Sequence, residues 1–550
     1  MAFWDRIVED KRVQLPVRPS ASATTDSARK IFAPGNPAPA LNIASEVSSG
    51  LPIAAGLAIG ALVLATTVAR FVYRAGAPLW LDEVWTGMIA SQRSFSGFVR
   101  QCYLDVNAPL YYLVVWLWRP LGGLSNAGLR LPSAIFASLA PLIALAPTRR
   151  IPLSVRAIWA ALLACWLPAF IFATEARCYA LLLFLAVANT LSFAEILRSP
   201  RIGAVAVWAA LSSLLILTHY FATPLVACQG LVFLIIWRGQ ALKAWPALAA
   251  FIPSFAEMAW HAAILRSFAR ATPMDSSSLR LQDMLDTVQF LLGGAPVIWI
   301  LALCLLIGVL MLRLRGETTL SGRSIFEGDD RGPWIVAATS VGSVILCIAV
   351  YQICLAASWA RPMLVMRYFT AAAPGVLLAL ALLVRRVAVL WAPAPLVVLT
   401  AQAAIAFAVL LGGAPKAQPL SFERAAEALM NADVTRVEFL WDDRGAIGHD
   451  KGGRSQDAFS QVGGFFFHRA GRPISSDNVS LSPGQDPNQV LLNRARNNGA
   501  AILWLYNTDV GTTAALKFPP RITQIDPHWR CRDFGTGAAH TLACVKGGAL

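Results

Sequence analysis

Apolar runs of about twenty residues recur along the first three quarters of this chain, separated by short breaks carrying Arg, Lys, Gly and Pro. Wound as helices, such runs cross roughly 30 Å of hydrocarbon. The pattern predicts eleven membrane spans, at 51–73, 127–147, 157–173, 178–197, 203–218, 222–237, 244–262, 287–312, 333–357, 368–384 and 387–411. The first run starts too late and is too long for a cleavable leader. One apolar segment does not fit: PLYYLVVWLW, residues 109–118, reaches only about 15 Å as a helix, so it is read as lying along the membrane interface. After Leu411 the pattern changes. Helix-like stretches (421–432, 486–498) alternate with strand-like RVEFLW (436–441) and AAILWLY (500–506), which predicts a small α/β domain over 415–550.

Composition agrees with that division. Hydrophobic residues make up 57% of the 550 and charged residues only 14%, against roughly 25% charged in soluble domains. The net charge of +15 is scattered over short loops, a pattern that reads as an orientation signal with attraction to anionic membrane lipids, not as a nucleic-acid surface. With 109–118 not crossing, thirteen Lys and Arg of the inter-span loops fall on one side and seven on the other. The richer side is cytoplasmic by the positive-inside rule, which puts the N-terminus inside and the 415–550 domain outside. Residues 1–50, polar and rich in Ala, Ser and Pro, read as a mostly disordered basic cytoplasmic tail with a short interfacial helix at Phe3–Leu15. Of nine cysteines, Cys531 and Cys544 flank a Gly-containing turn in the outer domain, where they either bridge a hairpin or stay two buried thiols.

This topology, set by basic residues alone, brings the unusual polar residues to one face. Asp82 and Glu83 lie just outside the first span, in APLWLDEVWTGMIA. Asp105 and Asn107 close the same loop, and Glu175 and Arg177 sit at the next outer turn. His219 and Tyr220 follow at another, Glu257 and His261 share a helix face near the outer end of their span, and Arg367 and Tyr368 open a later span. Each has a plain alternative. Asp82 is a good helix cap, the arginines can snorkel, His219 can be a packed core histidine, Glu257 with His261 can be a hydrogen-bonded pair, and Tyr111, Tyr112, Trp116 and Trp118 fit an interfacial belt. Their convergence favours a site, because ionisable groups near membrane depth are costly and line cavities. No Walker loop, dinucleotide fingerprint, HExxH or nucleophile elbow occurs. Carboxylates beside arginines suit a base next to an anion site, and so transfer from a phosphorylated lipid to a hydroxyl or amine.

LWLDE, then D-x-x-x-P-L-Y-Y, RLPSAIF, E-A-R-x-Y-A-L, T-H-Y-F and R-Y-x-x-x-A-x-P together resemble the GT-C superfamily of lipid-dependent glycosyltransferases. The branch is that of bacterial protein O-mannosyltransferases and lipid A aminoarabinose transferases, over most of 51–411. The resemblance implies an α-helical polytopic membrane protein with juxtamembrane helices in the first outer loop, in the bacterial inner membrane. It implies a polyprenyl-phosphate-sugar donor, a glycan, lipid or protein acceptor, and Asp82 as catalytic base with inversion. Arg177 and Arg367 would steady the departing phosphate, helped by His219. Glu83 and Asp105 would orient the acceptor or hold a divalent cation, for which Glu257 and His261 are further candidates. Many relatives have Pro-Pro or a His beside the loop-closing acid, where this chain has Asn107-Ala108-Pro109; that leaves metal dependence open. A transporter would predict mid-membrane breaks and internal repeats, and no repeat is seen. An inactive scaffold would not need Asp82.

Overall fold

Helices begin and end where the sequence supplies caps and breakers. In the computed structural model, residues 53–148, 150–271, 281–294, 299–300, 303, 306–307, 310, 331–356, 365–391, 393–412, 421–442, 454–482, 484–507, 519–535 and 539–548 are described. The 1–50 tail with its Phe3–Leu15 helix, and most of the second half of the 287–312 span, lie outside them.

Helix α1 (Ile53–Val72) leads to three short helices, α2 (Leu81–Ala90), α3 (Phe95–Leu104) and α4 (Leu110–Gly122). The last contains the 109–118 segment. Its thirteen residues give about 20 Å of helix, short of a span, and it packs against α2 and against α5 (Asn126–Ala144). The turn between α4 and α5 depends on glycine: Gly123 has φ +70, and a Cβ on Gly128 would stand 2.0 Å from the Gly122 carbonyl oxygen. Ser125 caps α5 by accepting from the Gly128 N–H at 3.1 Å.

The expected straight span at 157–173 is two helices, α6 (Leu153–Cys165) and α7 (Leu167–Ala173), bent by 56°. Pro168, in the first turn of α7, removes a backbone donor at the break. Arg70, buried in α1, donates to the carbonyls of Leu163 and Ala164 at 3.4 and 2.7 Å, satisfying the end of α6, and lies 4.8 Å over the Phe170 ring. Then come α8 (Tyr179–Ile196), α9 (Ile202–Thr218), α10 (Thr223–Trp237), α11 (Ile252–Ala271), α12 (Leu281–Leu292), α13 (Arg331–Ala356), α14 (Ala373–Leu390) and α15 (Ala394–Leu411).

Among the described residues six helices are long and apolar enough to cross a membrane, or seven if the bent pair is one span, with shorter apolar helices at Gly56–Val72 and Ile202–Thr218; the expected count of eleven is not confirmed by them. One expected boundary also moves. Arg385 and Arg386 lie within α14, not in a loop, because long basic side chains can snorkel from a helix and no breaker occurs before Pro393. Polar pairs stitch the apolar bundle: Asn189 Nδ2 to Ser212 Oγ at 2.9 Å, Trp208 Nε1 to Gln229 at 2.8 Å, and Trp159 Nε1 to the Pro374 carbonyl at 2.9 Å.

Beyond α15, α16 (Glu423–Asn431), α17 (Arg454–Arg469) and α18 (Pro487–Asn498) accompany β1 (Arg436–Asp442), β2 (Ser475–Asn478), β3 (Ala501–Asn507), β4 (Trp529–Asp533) and β5 (Ala539–Lys546). The sheet order is β2-β1-β3-β5-β4, with the first three strands parallel and β5 antiparallel to both neighbours. Side chains of β3 alternate between faces. Ile502, Trp504 and Tyr506 pack with Leu491 and Leu492 of α18, whereas Leu503 and Leu505 join the larger core that holds Val462 and Phe466 of α17. Cys531 pairs with Cys544 across the β4–β5 hairpin as a disulfide.

Candidate active site

The two neighbouring carboxylates at the start of α2 have opposite fates. Successive helical residues point about 100° apart, so only one can face the core. Glu83 does, and it is fully buried. Its oxygens accept from Arg130 Nε and Nη2 at 2.7 and 2.6 Å, from the Ala176 N–H at 2.8 Å and from the Trp80 N–H at 3.1 Å. Arg130 further donates to the carbonyls of Arg74, Ala75, Ala77 and Pro78. The residue expected to touch acceptor or metal is therefore spent on internal bonds. It caps α2, and it ties that helix to the turn between α7 and α8. Asp82 is not the cap, contrary to its plain alternative.

Asp82 stays 28% exposed, with Oδ2 3.4 Å from Arg177 Nη2 and 3.9 Å from Arg367 Nη2. Arg177 also donates to the Asp82 carbonyl at 3.3 Å. Its backbone is set by Ser133, whose Oγ donates to the Arg177 carbonyl and lies 2.6 Å from the Tyr111 hydroxyl. Arg367 stands on the 3₁₀ turn Met366–Ala371, over the rings of Tyr179 (5.5 Å) and Trp80 (5.8 Å). The Nε of each arginine, and Trp80 Nε1, are buried donors without an acceptor among the described residues. Three such donors around one carboxylate suit an incoming anion, since an unmatched buried donor is costly.

Glu175 lies within the field of both arginines. Burial, then the Glu83 charge, pushes its carboxyl up to about 7 against the pull of Arg367 and Arg177. His219 is pushed down to about 3 by burial and by the same two arginines. It is neutral, with Nδ1 accepting the Phe221 N–H at 3.3 Å, so Nε2 is its donor. Tyr368 packs on it, ring centroids 5.0 Å apart.

The other expected residues group nearby. Asp105 takes hydrogen bonds from the Tyr112 hydroxyl and from Asn107 Nδ2, the latter at 3.1 Å. Tyr112, which the sequence pattern places in an interfacial belt, is buried and feels both Asp105 and Arg177. Tyr220 bonds Glu257 Oε1 and His261 Nδ1, each at 2.6 Å, and His261 Nε2 lies 3.2 Å from the Tyr103 carbonyl. Glu257 and His261 are thus a hydrogen-bonded pair joined through Tyr220. Among the described residues no three His, Cys, Asp or Glu gather as a metal would require, so the four cation candidates do not form one site. Sequence reading missed Trp80, Tyr179 and Ser133 at the site, and the supporting part of Arg130; the only signal was their place inside the motifs LWLDE, EARCYALLL and RLPSAIF.

No family model matches the chain, and no curated protein matches it in sequence. Its fold resembles that of ArnT from Cupriavidus metallidurans. The apo crystal structure of that protein superposes with a TM-score of 0.53 at 12% identity, over 90% of this chain and 98% of the other. The crystal structure of the same protein bound to undecaprenyl phosphate gives 0.48 at 12% identity and the same coverage.

Proposed function

We propose that this protein is a glycosyltransferase that moves a sugar from a polyprenyl-phosphate donor to an acceptor at the outer face of a bacterial cytoplasmic membrane. In this reading residues 1–50 are cytoplasmic, 51–411 form the membrane-embedded transferase domain and 415–550 the outer domain. The observation that carries it is the setting of Asp82: a half-buried carboxylate between two arginines that each keep an unmatched buried donor. The GT-C-like fold and the sequence motifs support the same conclusion.

The donor phosphate docks on Arg177 and Arg367 and draws them from Asp82, which frees that carboxylate to act as base. Asp82 then takes the proton of the acceptor hydroxyl or amine as its O or N bonds to the anomeric carbon. The bond from that carbon to the phosphate oxygen breaks, and its electron pair leaves with the polyprenyl phosphate. The arginines neutralise the growing charge, and His219 Nε2 and Trp80 Nε1 supply further neutral donors. Attack opposite the leaving phosphate inverts the anomeric centre. Asp105 with Asn107, and Tyr220 with Glu257, line the acceptor side.

The test compares wild type with Asp82→Asn in lipid, each given a panel of polyprenyl-phosphate sugars and membrane extract as acceptor source. Release of polyprenyl phosphate from one donor, lost by about 10³-fold or more in the variant, is the expected result. Equal turnover in both proteins removes Asp82 from the mechanism. The absence of turnover with every donor, in correctly folded protein, removes the transferase reading.

A further inference from the structure

The loop that delivers Asp82 is held from two sides. Arg130 grips its carbonyls and Glu83 from the membrane-embedded part. The second grip comes from far along the chain. Glu423, at the start of α16 and only 6% exposed, accepts the Leu79 N–H at 3.1 Å, three residues before Asp82. The same carboxylate accepts Asn126 Nδ2 at 2.9 Å, and that amide also bonds the Ala77 carbonyl at 3.2 Å. Arg469, at the end of α17, closes the group by donating to Glu423 and, at 2.6 Å, to Asn126 Oδ1. Its guanidinium lies 4.8 Å over the Phe466 ring.

Further contacts of α17 run along α2 itself. Gly87 meets Phe465 so closely that a Cβ would stand 2.5 Å from the ring edge. Phe459 sits edge-on to Trp85 at 5.3 Å, and Gln461 accepts from Gln92 at 3.0 Å.

From this arrangement we infer that Glu423, with Arg469 and Asn126, is a positioning group for Asp82: the outer domain is part of the catalytic apparatus and not only a surface that selects acceptors. The inference rests on the transferase reading for its kinetic consequence, though not for the clamp itself. A buried carboxylate that accepts one backbone N–H and one side-chain amide, and is neutralised by a half-buried arginine, ties the loop to α16 and α17. None of the three residues approaches the orphaned donors of the site by any bond described, so their effect runs through Asp82 placement.

The experiment uses the full chain in lipid nanodiscs, comparing wild type, Glu423→Gln and Asn126→Ala. The second variant leaves the outer domain's own Glu423–Arg469 pair intact and so guards against a folding defect of that domain. Arg436→Gln, at the exposed Arg436–Asp477 pair, is the control. Amide hydrogen exchange over 77–83 is expected to rise about tenfold or more in both variants and not in the control, with β3 unchanged. Release of polyprenyl phosphate should fall about tenfold in kcat, because small misplacements of a reacting group are costly, while the donor KM stays within about twofold, since the arginines are untouched. Unchanged exchange over 77–83 overturns the clamp. Raised exchange with unchanged kcat overturns its positioning role. Should wild type turn over no donor, the transferase reading fails separately, and the exchange comparison still decides the clamp.

Discussion

At the scale of the residue, charge placement decides what each carboxylate can do. Asp82, Arg177 and Arg367 were legible in the sequence because ionisable groups at a membrane boundary are costly enough to demand a reason. The division of labour between Asp82 and Glu83 was not, since it depends on which of two adjacent directions meets Arg130. Removing one partner of so buried a pair costs about 3–5 kcal/mol, which marks Glu83 and Arg130 as scaffold. Glu175 offers a pH test. Its carboxyl is pushed up to about 7 in the folded protein, so its contribution to stability is full below the ordinary carboxyl range and lost as pH rises through about 7. Above that pH it adds a negative charge beside Arg367 and Arg177 that, in the proposed reaction, would compete with the donor phosphate. The donor KM of wild type is expected to rise severalfold between pH 6 and pH 8, and that of Glu175→Gln to stay flat over the same range, as read from initial rates of polyprenyl phosphate release.

At the scale of the element, close packing replaces the drive from water. Helices in lipid associate through small residues that let backbones approach, and Gly375 of α14 does so: a Cβ there would stand 1.9 Å from Ser340 Oγ of α13. Gly375→Ala is expected to destabilise the fold by about 1–3 kcal/mol through overpacking, seen as a lowered thermal midpoint in detergent; an unchanged midpoint would mean that α13 and α14 separate freely. The elements were legible in uneven measure. The strands at 436–442 and 501–507 and the helices at 423–431 and 487–498 fall within two residues of their sequence-based bounds, because period and turn residues agree there. The bend at Trp166 and the run of α14 through Arg385 and Arg386 escaped notice. A single Pro after an apolar run and a pair of arginines are each compatible with either outcome until tertiary partners are known.

At the scale of the whole molecule, the most distant contacts govern the site. Nothing local to Glu423 announces a partner 344 positions upstream, and period-based reading is blind to such pairs, which is why no link between 415–550 and the loop bearing Asp82 shows in the sequence. That domain also carries the Cys531–Cys544 bond, closing a separation of 13 residues at a hairpin where chain entropy gives about 3 kcal/mol. Reduction under mild conditions should lower the unfolding midpoint of the part built on β1–β5, followed by exchange in β5, and leave exchange in α8 unchanged; equal loosening of both would make the two parts one cooperative unit.

The length of the Glu423–Leu79 contact also sets a clock. A ribosome adding about 5–20 residues per second needs roughly 20–70 s to make the 344 residues between them. Throughout that interval the loop bearing Asp82 is already synthesised but holds only its bonds to the earlier helices, those from Arg130 and Asn126 among them. Until Glu423 and Arg469 have been made and folded against it, that loop lacks its second clamp, so a chain cut short before residue 423 is expected to hold Asp82 less firmly than the full chain does.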